Sequence, residues 1–195
     1  MRRALTTLLL PALVLSAAGC GSGSSPARPT PTTTPILGVQ TYTGLSQKHL
    51  GKGDPVPSYP QSPPVGGAHS PVWLKCQAYP TAVPDINAVH SLEHGGVWLT
   101  YLPTTSAADV ATLTQLTGVN TEYVLVSPYP GQDSPVVATA WGAQLKVTSV
   151  SDPRLVEFVR RYAGNGPEHV QCASNGATLE QALQFDAENG QPQTG

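Results

Sequence analysis

Between Pro55 and Pro84 the chain carries eight prolines in thirty residues. Proline fixes φ and has no amide hydrogen, so helix is excluded through most of this stretch and long central strands are disfavoured. So long a segment without regular structure inside a compact domain is either functional or disordered. Tyr59, Trp73 and Tyr79 argue against disorder, because each offers a large apolar area to bury. An ordered but irregular layer is expected here.

Regular signals begin at Val97. Val97 to Leu102 reads as a strand closed by Pro103. Ser106 can cap a helix from Ala107 to Leu116, with Gly118 as its stop. Tyr123 to Val126 and Val136 to Trp141 read as strands separated by the turn cluster Pro128 to Gly131. Gly142 allows a tight turn into a strand from Gln144 to Val150. Ser151 can cap a last helix, with Pro153 in its first turn and Leu155, Val156, Phe158 and Val159 on one face, ending near Gly164. The order is β-α-β-β-β-α. A right-handed crossover makes the first strand pair parallel, and a short turn makes the last pair a hairpin. The expected class is α+β: a mixed four-stranded sheet with two helices, preceded by the long proline-rich loop segment. The topology is distantly thioredoxin-like, but there is no C-x-x-C. The globular domain is expected at 40–172. A polar tail at 173–195 holds one short helix over Leu179 to Phe185.

The N-terminus reads as an address. Arg2 and Arg3 precede an apolar run to Leu15, and Ala17, Ala18 and Gly19 lead into Cys20. A basic head, a short apolar body and small residues before the cut describe a secretory signal peptide at 1–19. The run is too short to span a bilayer. The small residues directly before a cysteine resemble the bacterial lipobox, with Ala17 where leucine is commoner. That resemblance implies cleavage before Cys20 and acylation of it, the palmitate-type anchor of a lipoprotein on the extracytoplasmic face of the cell membrane. Losing Arg2 and Arg3 takes the formal net charge from -2 to -4, so the lipid, not basic residues, supplies the membrane affinity. Residues 20–39 form a Ser/Thr/Pro linker around the lipidated Cys20. A flexible coil of about 20 residues spans near 25 Å. Charged residues are only 11% of the chain, with no basic run, which excludes a nucleic-acid partner. There is no P-loop, no G-x-G-x-x-G and no G-x-S-x-G.

With Cys20 used by the lipobox, Cys76 and Cys172 remain as a pair in an exported protein, where a disulfide is the default. The rival role is Cys76 as a copper-binding thiolate. Four of the five histidines, His49, His69, His90 and His94, fall within residues 49–94. His90 and His94 are four apart, so on one helical turn both rings face one side. Both then reach one ion at about 2.0–2.1 Å. His69 follows two glycines on a bendable loop as third ligand, and His49 is a fourth. Glu93, beside the pair, is a second-shell acceptor for a ring N–H. Affinity should then fall as pH drops through about 6.5. The bland alternative is buried histidines satisfying loop carbonyls, with Glu93 in a hydrogen-bond network. His90 to His94 also matches H-x-x-E-H, the inverzincin signature, although Pro84 and Gly95-Gly96 leave room for only a short helix.

Pro63-Pro64-Val65-Gly66-Gly67-Ala68-His69, Pro71-Val72-Trp73 and His90-Ser91-Leu92-Glu93-His94-Gly95 resemble the signature blocks of a bacterial family known as domain of unknown function 3105. Ser127 to Pro130 and Ala138 to Gly142 resemble its later blocks. The first block departs mildly from the family's proline-serine-glycine-proline-histidine form. The resemblance implies an exported or membrane-anchored protein and supplies no activity and no catalytic residue. The expectation is therefore a membrane-anchored lipoprotein that binds copper or zinc through His69, His90 and His94, with His49. A cell-envelope interaction or assembly module with structural histidines, its protein partner unidentified, is the alternative. A metal-dependent hydrolase is the third reading. The lack of a clear general base favours binding over enzyme turnover.

Overall fold

A computed structural model describes residues 34–168 and 170–191. The signal segment, Cys20, the linker up to residue 33 and His169 lie outside the described residues. The chain is α+β, with a mixed five-stranded sheet in the order β1-β5-β4-β2-β3. The strands are β1 (Val39–Thr41), β2 (Val97–Tyr101), β3 (Val124–Pro128), β4 (Val136–Ala140) and β5 (Ala143–Val147). The helices are α1 (Asp85–Glu93), α2 (Ala107–Gln115), α3 (Pro153–Tyr162), the single turn α4 (Cys172–Asn175) and α5 (Leu179–Glu188).

The expected crossover is present: β2 and β3 are parallel with Val97 opposite Val124, and α2 connects them. Ser106 caps α2, its hydroxyl accepting from the Asp109 amide. The hairpin β4–β5 turns at Gly142, and β4 pairs antiparallel with β2. Asp152, not Ser151, caps α3, accepting from the Arg154 amide at 2.9 Å ahead of Pro153.

The sheet is one strand larger than expected, and helices beyond the two expected pack around it. β1 pairs antiparallel with β5, Val39 opposite Leu145. With three residues it is too short to show alternation, and it starts at Val39, the last residue of the stretch read as linker. Ile36, inside that stretch, is buried. The packed body continues past Cys172 as well: Ala182, Asp186 and Gln191 are buried, and Thr178 and Gln181 form a capping box at the start of α5.

The sheet is covered on both faces, so β2 is buried along its whole length. One face, with Val97, Leu99 and Val126, packs on Leu113 of α2 and Leu155 and Phe158 of α3. The other, with Trp98 and Leu125, packs on Leu74, Tyr79, Ala88 and Leu92. Here the proline-rich segment is an ordered layer, with Pro63, Pro64, Val65, His69 and Ser70 buried. Cys76 and Cys172 are joined by a disulfide with Cα atoms 5.3 Å apart, which ties this layer to α4. Cys76 is therefore no thiolate ligand. Among the described residues no helix is long and apolar enough to cross a membrane.

Candidate metal centre

The histidines meet where the irregular layer crosses α1. Residues 48–50 run parallel to His69: the Leu50 amide donates to the His69 carbonyl at 2.7 Å, and the His69 amide donates to the Lys48 carbonyl at 3.0 Å. This sets His49 and His69 side by side, with ring centroids 4.8 Å apart. Gly67 has φ +129°, a conformation that favours glycine, and an added Cβ would lie 3.1 Å from the Tyr59 ring.

α1 follows Pro84 and is buried from Ile86 to Glu93. The Asn87 side-chain amide donates to the Val72 carbonyl at 2.8 Å. The Ser91 hydroxyl donates to the Leu74 carbonyl at 3.0 Å and accepts from the Leu74 amide at 3.0 Å. The helix must stop at Glu93, because Gly95 takes φ +92° and an added Cβ there would meet Gly164 backbone at 2.9 Å. The chain after α3 folds back on this turn. The Gly164 amide donates to the Gly95 carbonyl and the Glu168 amide to the Glu93 carbonyl, delivering the Glu168 carboxylate to His94.

His69 Nδ1 is 2.7 Å from the Gly67 carbonyl and His90 Nδ1 is 2.7 Å from the Ser70 carbonyl. A carbonyl only accepts, so both Nδ1 atoms carry hydrogen and both Nε2 atoms turn a bare lone pair inward. His69 Nε2 then faces Glu93 Oε2 at 2.9 Å, and His49 Nε2 faces the same oxygen at 3.4 Å. His90 Nε2 lies 3.0 Å from His94 Nε2, which is 3.1 Å from Glu168 Oε2. Glu93 Oε1 and His94 Nδ1 are buried with no hydrogen-bond partner among the described residues. A proton on Glu93 can bridge one of these pairs. A cation satisfies several at once.

The spacing suits a small ion. Four ligands at about 2.0–2.1 Å in a tetrahedron stand about 3.3 Å apart. His49, His69, His90 and Glu93 offer atoms all within 4.8 Å of one another, and so, separately, do His90, His94 and Glu168. The expected set is thus divided: His49 joins His69 and His90, whereas His94 turns to Glu168. The outer acceptors are the carbonyls of Gly67 and Ser70. Glu93 instead faces inward among the ligand atoms. Glu168 was not expected, since no spacing in the sequence links it to the histidines.

Burial pushes His69 from its ordinary 6.5 down to about 4 and, with help from His69 and His94, His90 down to about 3. Burial lowers His94 as well, against the pull of Glu168, and raises Glu93, with Glu168 adding to the rise. Proton competition at His69 and His90 is therefore moved well below the 6.5 expected of free imidazole. Between pH 6.5 and about 4 the unfolded chain binds a proton at His69 that the native protein does not. The metal-free protein is expected to keep this contribution in full above pH 6.5. It should lose it as pH falls through the window, on the order of 3 kcal/mol for His69 alone. Glu93, being raised, acts with the opposite sign and offsets part. Melting temperatures of the metal-free protein from pH 7.5 to 4 check this, and an unchanged midpoint would count against it.

A family model described as "Protein of unknown function (DUF3105)" matches residues 51–174. That span includes both cysteines of the disulfide and His69, His90, Glu93, His94 and Glu168, while His49 precedes it. No curated protein and no solved structure matches the chain.

Proposed function

We propose, for a chain that belongs to the DUF3105 family, that the domain is a metal-binding module holding one copper or zinc ion through His49, His69, His90 and Glu93. The observation that carries this reading is the pair of Nδ1–H bonds to the Gly67 and Ser70 carbonyls. Tying the far nitrogen to a fixed acceptor is how proteins orient a ligating imidazole. Here it aims the His69 lone pair at the buried Glu93 carboxylate and the His90 lone pair at His94 Nε2, 3.0 Å away. Three imidazoles and one carboxylate suit zinc or divalent copper. The chain's single methionine is Met1, so no methionine-rich site for monovalent copper can be built. Calorimetric titration with both ions tests the reading: one equivalent is expected, and no binding tighter than about 10 μM for either ion would overturn it.

One observation favours the alternative, an envelope module with structural histidines. Burial raises Glu93, so a proton shared with His69 also satisfies that pair. The same titration separates the two, because a structural network binds no ion. Hydrolysis draws less support, since the Glu93 carboxylate is directed at His69 and His49 rather than left free beside His90 and His94.

The module is placed on the extracytoplasmic face of the cell membrane by acylation of Cys20. The expectation rests on the residues before Cys20 and on the acyl chains as the strong source of membrane affinity. A Cys20→Ala variant should leave the detergent phase on phase partitioning, or accumulate as uncut precursor. Unchanged partition would refute the anchor.

A further inference from the structure

We infer that the centre holds one ion at a time in two overlapping positions, an outer one at His94 and Glu168 and an inner one at His49, His69 and Glu93, with His90 a ligand in both. This rests on the metal-binding reading above. His90 belongs to both ligand groups. Its Nδ1 is committed to the Ser70 carbonyl at 2.7 Å, so only Nε2 can ligate. One lone pair binds one ion, and the two groups cannot be filled together through His90. The two positions are joined through this nitrogen, since His90 Nε2 is 3.0 Å from His94 Nε2.

The positions differ in what they leave open. Each has one exposed ligand: the Glu168 side chain is 46% exposed and that of His49 is 43% exposed. His69, His90, His94 and Glu93 between them are buried. The inner group has four ligands, enough to close a tetrahedron. The outer group has three, which leaves a coordination place for a ligand from solvent or from a delivering molecule. An ion is therefore captured at Glu168 and His94 and moves inward while His90 stays bonded, exchanging His94 and Glu168 for His69, Glu93 and His49. The exchange transfers no electron, and a proton held between Glu93 and His69 leaves to solvent as the ion takes its place. The segment that carries Glu168 is held to α1 by main-chain bonds such as the Glu168 amide to the Glu93 carbonyl at 3.0 Å, so these bonds remain when the carboxylate is altered.

The test uses divalent copper alone as probe on the wild-type protein, with stoichiometry, loading rate and nitrogen hyperfine structure as readouts. The wild type should take one equivalent and show three imidazole nitrogens. A His49→Ala/His69→Ala variant should still take one equivalent, more weakly, with two imidazole nitrogens, and adding His94→Ala should abolish that binding. Glu168→Gln should slow loading at least tenfold and slow release by nearly the same factor, followed by quenching of Trp73, whose ring lies 4.5 Å from His94 and 5.3 Å from His90. Two equivalents in the wild type would overturn the shared ligand. A His49→Ala/His69→Ala variant that binds nothing while the wild type binds one would overturn the outer position. Glu168→Gln loading at the wild-type rate would overturn the route even if the double variant failed to fold. A wild type that binds no copper and no zinc is a different failure, that of the metal-binding reading itself.

Discussion

A His90→Ala variant is expected to bind copper or zinc at least about 1,000-fold more weakly than the wild type, a loss of about 4 kcal/mol. His90 is the ring common to both ligand groups, so no rearrangement among the remaining residues recovers it. The substitution also removes the donor to the Ser70 carbonyl, and Ser70 is fully buried. An acceptor left unsatisfied costs about 1–3 kcal/mol of stability. Titration calorimetry and urea denaturation on the same samples separate the two effects. A His90→Gln variant controls for lost packing, because its amide can still donate to a nearby carbonyl. Retained affinity in His90→Ala would refute the assignment of His90 as a ligand. A variant that loses stability beside a wild type that binds no metal would favour the structural network.

Loss of the disulfide has the second large effect. The Cys76→Ser/Cys172→Ser variant is expected to lose about 4–5 kcal/mol of unfolding free energy, since the bridge closes a loop with a sequence separation of 96. The effect reaches the centre through the irregular layer. Cys76 and Cys172 pack in one cluster with Leu74, Ala88, Leu92 and Trp98, and Leu74 is bonded to Ser91 of α1. His69 and the carbonyls of Gly67 and Ser70 lie on the same proline-rich segment. Weaker fixation of that segment should lower metal affinity along with stability. The midpoint and slope of urea unfolding check the first part, and a loss under about 1 kcal/mol would contradict the loop-entropy argument.

The two results would bear on a centre that was only half legible in the linear chain. β2 to β5, α2 and α3 could be read because their signals are local. Ser106 three residues before Asp109, Pro153 in the first turn of α3 and Gly142 between two apolar runs act on their immediate neighbours. α1 escaped as a full helix for a physical reason. It is buried from Ile86 to Glu93, so it has no solvent-exposed face, and its polar residues Asn87, His90 and Ser91 meet buried partners where a surface helix would meet water. The capping box at Thr178 and Gln181 was readable, but what the helix packs against was not. Enrichment of histidine in residues 49–94, and the four-residue step from His90 to His94, marked the centre by composition and spacing alone.

Tertiary structure decided how those rings are shared out. His94 is the cap of α1, not a member of its inner face, and Glu168 reaches it because the chain after α3 bonds back to Gly95 and Glu93. Glu93 turns inward because the Gly67 and Ser70 carbonyls already hold the outer nitrogens of His69 and His90. Periodicity and caps are properties of consecutive residues, so they survive in the sequence as pattern. Which lone pairs converge depends on the packing of segments far apart in the chain, and that packing is set by burial of the whole core rather than by any local signal.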